Sequence, residues 1–329
     1  MSNITRILRR AAKCVALALV AAHVAPATAQ TITLPAFDAG SFHTAFTFLG
    51  DGRVAAYTGD HVFVQDAVGT GSFSSIGSLP AEFQGASDPA FILVAPNGLF
   101  FVLGAGAGGV KFPDPRFNGN IYVLSITGGE AHLVTRIPLS STATFRGSSE
   151  LFVNQGLDFL SASPSSQVVR LDLATGTVQT VVAEIPGESG GVAFDRAGNL
   201  YTGIGFLPGR TGEIRRFAGH DVDSALETAT PLDFAAGDFV AQSLAASPLL
   251  FDRRGDLVVG GGDSTPGGQD GFIAVIDPHS GAVLSRIDPE PASGGQPFFF
   301  LAIDQRGCLL AANDFFDPTL TLFFVDLCE

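Results

Sequence analysis

Tryptophan is absent from the 329 residues, lysine is nearly so, and only three tyrosines and three cysteines occur. Each shortage excludes something. Without tryptophan there is none of the indole platform that many sugar-binding faces use. Removing residues 1–29 takes away four positive charges and no negative ones, lowering the formal charge from −14 to −18 and leaving Lys111 as the sole lysine. Such a surface repels nucleic acid and anionic lipid, whose binding depends on Lys and Arg neutralising phosphates. Cationic partners, divalent metals, proteins or small ligands remain. No apolar run is long enough for a comfortable membrane span. Long helical periodicity is also missing, and forty glycines, nineteen prolines and abundant Phe and Val point to an all-β chain.

The first residues read as a leader. Arg6, Arg9, Arg10 and Lys13 form a basic region, Cys14 to Val24 an apolar one, and Ala27-Thr28-Ala29 a small-x-small cleavage site. The expected mature chain is a single domain, residues 30–329, exported to the periplasm or outside the cell with no membrane anchor. Two cysteines remain in it, Cys308 and Cys328, and an oxidising setting favours their pairing as a disulfide.

What the sequence does contain is repetition. "AFDRAGNLYTG" at 193 returns as "LFDRRGDLVVG" at 250 and "AIDQRGCLLAA" at 302. Each reads as strand, Gly turn, strand, which is a β-hairpin. Looser copies turn at Gly52, Gly98 and Gly156. With Gly198, Gly255 and Gly307 the turn glycines are spaced 46, 58, 42, 57 and 52 residues apart. A second hairpin follows in most units, as in "QVVRLDLATGTVQTVVA" (167–183). Two hairpins per unit predict a six-bladed β-propeller of four-stranded antiparallel blades. The last unit lacks a strand, and "TITL" (31–34) is spare, so the N-terminal strand is expected to close the ring. A Cys308–Cys328 bond would fasten that closure. Phe48, Phe152, Phe194 and Phe251 fit an inter-blade core.

Phrases such as "VAFDRAGNLYTG" resemble the repeats of six-bladed propellers of the gluconolactonase-like and NHL type, over nearly all of the mature chain. The resemblance implies a functional face opposite the Gly turns, built by loops that enter each innermost strand and loops that join second and third strands. Those loops gather Asp88, Asp114, Glu188, Asp263, Asp270, Asp314 and Asp317, with His43, Arg146, Arg210 and Gln242 as further candidates. It also implies a divalent metal at the channel mouth, held by Glu, Asn and Asp, that polarises a lactone carbonyl. The family's Glu-Gly-Pro phrase is replaced by "GSFHTAF" (40–46), and "PNGL" (96–99) falls in a hairpin turn.

Oxygen-rich loops suit Ca²⁺, and the candidate ligands are Asp88, Glu188 and Asp263. Gly104 to Gly109 matches G-x-G-x-x-G, but two prolines stand where the following helix is needed. Gly187-Glu-Ser189-Gly-Gly191 matches G-x-S-x-G without the strand–helix context of a nucleophile elbow, and reads as a packing turn.

Three functions follow from these residues. The first is an exported scaffold that binds a protein or small-molecule ligand through Asp88, Arg146, Glu188, Gln242 and Asp263. The second is a Ca²⁺-dependent hydrolase or lactonase using Asp88, Glu188 and Asp263. The third is a lyase with His43 as base and Arg146 steadying an enolate.

Overall fold

The computed structural model describes residues 28–32, 45–58, 60–81, 89–95, 99–104, 119–157, 163–187, 189–205, 212–243, 245–261, 271–287, 298, 300–313 and 320–328. Their strands fall into six sheets, four of four strands and two of five, and within each sheet the first four strands are antiparallel neighbours. The innermost strands are Ala45–Phe48, Pro89–Val94, Ser140–Arg146, Val192–Phe194, Leu249–Phe251 and Phe300–Ile303. Each touches the next in order, and Phe300–Ile303 returns to Ala45–Phe48, so the sheets close a ring. This is an all-β propeller.

The repeated phrase is the hairpin between first and second strands, and its aspartate makes the turn. One Asp195 oxygen accepts the N–H groups of Ala197 and Asn199. Asp252 accepts those of Arg254 and Asp256, and Asp304 those of Cys308 and Leu309. The glycine follows at positive φ, +82° at Gly198, +90° at Gly255 and +71° at Gly307, a conformation that costs a residue with a Cβ far more than glycine. The turns also join one another around the ring. Arg196 donates to the Arg253 carbonyl at 2.9 Å, and the Arg253 N–H to the Gly307 carbonyl at 2.9 Å.

Apolar faces of neighbouring sheets supply the core. Between the third and fourth sheets Phe152, Val168, Val182, Leu200 and Phe217 are buried together, with Phe194 set edge-on to Phe152. Tyr57, Tyr122 and Tyr201 are all buried in strands, so none forms an exposed ligand platform.

Three details differ from the sequence reading. The hairpin turn of the third sheet is at Gly147, φ +66°, not at Gly156. Gly156 instead ends the second strand, opposite Ser166. The closing strand is Thr28–Ile32, paired with Leu320–Phe324, rather than 31–34. The long connection in the fourth sheet contains a helix, Gly219–Thr228, whose Val222 and Ala225 are buried. Cys308 and Cys328 are bonded, with Cα atoms 5.1 Å apart, and tie the second strand of the sixth sheet to the end of the third.

Candidate functional site

The two ends of the ring have opposite characters. One is the entry face, where innermost strands begin; the other is the turn face, where the repeated hairpins lie. Burying a polar group is costly unless it is partnered, so the position of such groups is informative. Of the twelve buried polar residues among those described, nine sit toward the entry face: Thr58, Asn120, Ser140, Asn154, Ser166, Thr202, Ser243, Ser247 and Asn313. The other three, Gln65, Asp252 and Asp304, sit toward the turn face. Turn chemistry accounts for Asp252 and Asp304.

The entry-face groups concentrate where the third sheet meets the fourth. Ser141 donates to the Asn154 side-chain carbonyl at 3.2 Å, while the Asn154 amide nitrogen is buried with no partner. Above this ledge runs the segment 187–191, which carries the chain from the outer strand Val178–Pro186 to the innermost strand Val192–Phe194. It is pinned on both flanks. The Gly187 N–H donates to the Pro164 carbonyl and the Gly191 N–H to the Ala246 carbonyl, both at 2.7 Å. Thr142 donates to the Gly190 carbonyl at 2.6 Å and Thr202 to the Gly191 carbonyl at 2.9 Å.

Close approach explains the glycines. A Cβ on Gly190 would overlap the Gly203 carbonyl and lie 3.3 Å from the Asn154 nitrogen, and one on Gly191 would overlap Leu249. The G-x-S-x-G match is therefore a packing segment. Ser189 has φ +57°, rare for a residue other than glycine. Strain of this kind tends to be kept where a loop must hold a set shape.

Asn154 is the residue that sequence reasoning passed over. Its signal was an amide in the apolar run Leu151-Phe152-Val153, and taking Gly156 for the turn concealed it.

The predicted residues divide sharply. His43, Asp88, Asp114, Glu188, Arg210, Asp263, Asp270, Asp314 and Asp317 lie outside the described residues. Arg146 is a correction. With the turn at Gly147 it ends its innermost strand at the turn face, so it cannot steady an enolate at the entry face. Its guanidinium pairs with Asp223 of the helix and stands 5.7 Å from the Phe194 ring centroid. The open cleft there, about 590 Å³, is also lined by Glu150, Arg170, Gln179, Leu226 and Glu227. Arg170 is held at 2.9 Å by both Glu150 and Asp172, so this is an ion-pair seam tying the helix to the third sheet. Gln242 does reach the entry-face end, but on the outer strand Asp238–Ser243, exposed and opposite Glu213.

Among the described residues the shifted pKa values lie at the turn face. Asp304 is pushed up by burial, yet the Leu309 N–H, the Arg306 side chain and the Cys308 N–H outweigh this and leave it below the usual carboxylate value. Asp256 is raised, first by burial and then by Asp252. Burial, with Asp195 nearby, lifts Tyr201 to about 12, so it stays protonated near neutral pH and cannot act as a base. These shifts belong to turn structure. Among the described residues no three His, Cys, Asp or Glu side chains gather closely enough to hold a metal. The described mouth offers neutral groups from Ser141, Thr142 and Asn154, so a bound cation would depend on carboxylates of Asp88, Glu188 and Asp263.

No protein-family model matches the sequence, and no curated protein matches it. Solved structures do. A gluconolactonase from Xanthomonas campestris aligns with TM-score 0.58 and 16% identity, covering 92% of this chain and 91% of that one. A provisionally assigned gluconolactonase aligns with TM-score 0.58 and 12% identity over 92% of each chain. A chain of the mitotic checkpoint complex aligns with TM-score 0.54 and 12% identity over 95% of each. At these identities the likeness defines the fold, a propeller of the shape that gluconolactonases share, and leaves the chemistry to the site.

Proposed function

We propose that the six sheets are the six blades of one ring and that the chain is an exported hydrolase of the gluconolactonase-like type. Its substrate is a small cyclic ester bound at the entry-face mouth. The observation that carries this reading is the pinned segment 187–191. Its described residues Gly187, at φ +78°, and Ser189 are both left-handed and are the sequence neighbours of Glu188, and Gly190 lies beside the buried Asn154 amide. Glu188, Asp88 and Asp263 are the side chains that would hold a divalent cation such as Ca²⁺. That ion would supply Lewis-acid polarisation of the ester carbonyl. The protein's own part is to fix the loop, orient the ester and offer a carboxylate for proton transfer. The full-length likeness to gluconolactonases supports the reading, while His43 and Arg146 drop out as a catalytic pair because Arg146 faces the other way.

Export after cleavage at Ala29 is part of the same reading; it removes Thr28 and Ala29 from the closing strand and leaves Gln30–Ile32 paired with Leu320–Leu322. It is supported by the disulfide, by the acidic composition and by the absence, among the described residues, of a helix long and apolar enough to cross a membrane.

The test is the melting temperature of residues 30–329 in EDTA and then in millimolar Ca²⁺. An ion at about 100 times its dissociation constant adds ~2.7 kcal/mol. The expected upward shift is lost in Glu188→Ala and Asp88→Ala. If no divalent ion moves the melting temperature, the metal-hydrolase reading fails. A second reading then takes its place, favoured by the neutral hydroxyl and amide groups of the described mouth: a scaffold that binds a polar small molecule or a protein.

A further inference from the structure

Among the described residues only the first and third sheets gain a fifth strand. Of the four-stranded ones, the fifth sheet alone has no continuous connection of the next sheet to cover its outer edge. In the first sheet the outer strand Phe73–Ser78 is covered by a fifth, parallel strand, Gly129–Glu130, which lies between the third and fourth strands of the second sheet. In the third sheet Val178–Pro186 is covered by Leu232–Asp233, from the same connection of the fourth sheet. The outer strand of the fourth sheet is approached by the corresponding connection of the fifth, where a Cβ on Gly281 would overlap the Val240 carbonyl.

The connection that would cover the fifth sheet belongs to the sixth. Its third and fourth strands are Leu320–Asp326 and Thr28–Ile32, from opposite ends of the sequence, so no turn joins them. Among the described residues nothing pairs with the outer side of Val283–Ile287, where Val283 is 59% and Leu284 48% exposed. Phe239, 56% exposed, is on the outer strand of the adjacent sheet.

Register identifies what would fit there. In the first sheet a bulge skips Ile76, and the second residue beyond it, Ser78, faces Glu130. In the third sheet a bulge skips Val181, and the second residue beyond it, Ala183, faces Asp233. The fifth sheet repeats the pattern, skipping Leu284. Its second residue beyond the bulge is Arg286. Both covering strands thus put a carboxylate at the position where the open edge carries a guanidinium. Arg286 stacks on Phe272, 4.9 Å from the ring centroid, and makes no ion pair among the described residues. The strand Val-Leu-Ser-Arg-Ile has no acid of its own in a chain of formal charge −14.

We propose that the edge Val283–Ile287 is a docking site for an extended acidic segment of a partner protein. The segment adds as a fifth, parallel strand with a carboxylate opposite Arg286. Main-chain hydrogen bonds to the open edge supply affinity, and the Arg–carboxylate pair supplies register. A second copy of this chain fits less well, because its own Val283–Ile287 brings no carboxylate to set opposite Arg286.

The probe is a fluorescein-labelled peptide of the chain's own covering strand, Thr230-Pro-Leu-Asp-Phe-Ala235, titrated with the folded protein and followed by anisotropy and amide exchange. Saturable binding is expected, with slowed exchange confined to 283–287. Arg286→Glu, or Lys in place of the peptide's Asp, should weaken it about tenfold. Arg286 is exposed and loses only its stacking on Phe272 when replaced, so the melting temperature should fall slightly at most. If Arg286→Glu does not fold, Arg286→Gln takes its place. No saturation by about 1 mM peptide, or equal binding by Arg286→Glu, overturns the proposal. Concentration-dependent dimers that protect the same amides overturn it in favour of a second copy.

Discussion

In the repeated phrase the residue that matters most is the aspartate, since one of its oxygens accepts two backbone N–H groups at Asp195, Asp252 and Asp304. Charged acceptors of this kind contribute about 1.5–3 kcal/mol per hydrogen bond, and Asp195→Ala should lower stability by at least about 1.5 kcal/mol in chemical denaturation. The pH dependence has a definite sign. The folded pKa of Asp304 lies below its unfolded value of about 3.8. Its contribution is therefore complete above that value and is lost as pH falls through the lower, folded pKa. Asp304→Asn should melt earlier than the parent at pH 7, with the gap closing below about pH 4. Asp256 runs the other way, its folded pKa being raised. Its ionised form costs stability, so Asp256→Asn should melt later at pH 7 and the same as the parent well below pH 4. The glycine turns were legible because their chemistry is local in sequence, although the part played by their aspartates was not read. Asn154 was not, because its importance comes from Gly190 and Ser141, which only the fold brings to it.

At the scale of the element, the hairpins could be read from strand, Gly turn and strand alone. The misreading in the third sheet shows the limit of that signal. "FVNQGL" has the phrase's glycine, but the chain turns at Gly147-Ser-Ser149, and Gly156 continues a strand paired with 165–172. Shifting the turn moves Arg146 from one face of the ring to the other. The helix Gly219–Thr228 escaped notice because it is short and buries only one side, with Val222 and Ala225 as its buried residues. The Cys308–Cys328 link could be read from composition and the place of both cysteines in the last unit. It closes a loop with a sequence separation of 20, for which chain entropy gives about 3 kcal/mol. Cys308→Ser should lose about that much, and a reducing agent should lower the melting temperature of the parent but not of the variant.

At the scale of the whole molecule, closure by strands from opposite ends of the sequence has two consequences. It completes the last sheet as a four-stranded one, since Thr28–Ile32 pairs with Leu320–Phe324 as its outer strand. It also removes the turn that would have covered the fifth sheet. The period of the hairpins made the ring legible, but the mouth was only half so. Its loops could be located from the strand order, whereas the ledge of Ser141, Thr142 and Asn154 beneath segment 187–191 depends on contacts between sheets. The central claim is that this mouth hydrolyses a cyclic ester with Glu188 as an essential carboxylate. It is tested most directly by following acid release from a panel of sugar lactones with the folded chain 30–329, supplied with Ca²⁺ or another divalent ion, beside Glu188→Gln. The account predicts saturable hydrolysis by the parent and a loss of at least about a hundredfold in kcat/KM in Glu188→Gln. A parent that releases acid no faster than buffer, or a Glu188→Gln variant as active as the parent, would contradict it.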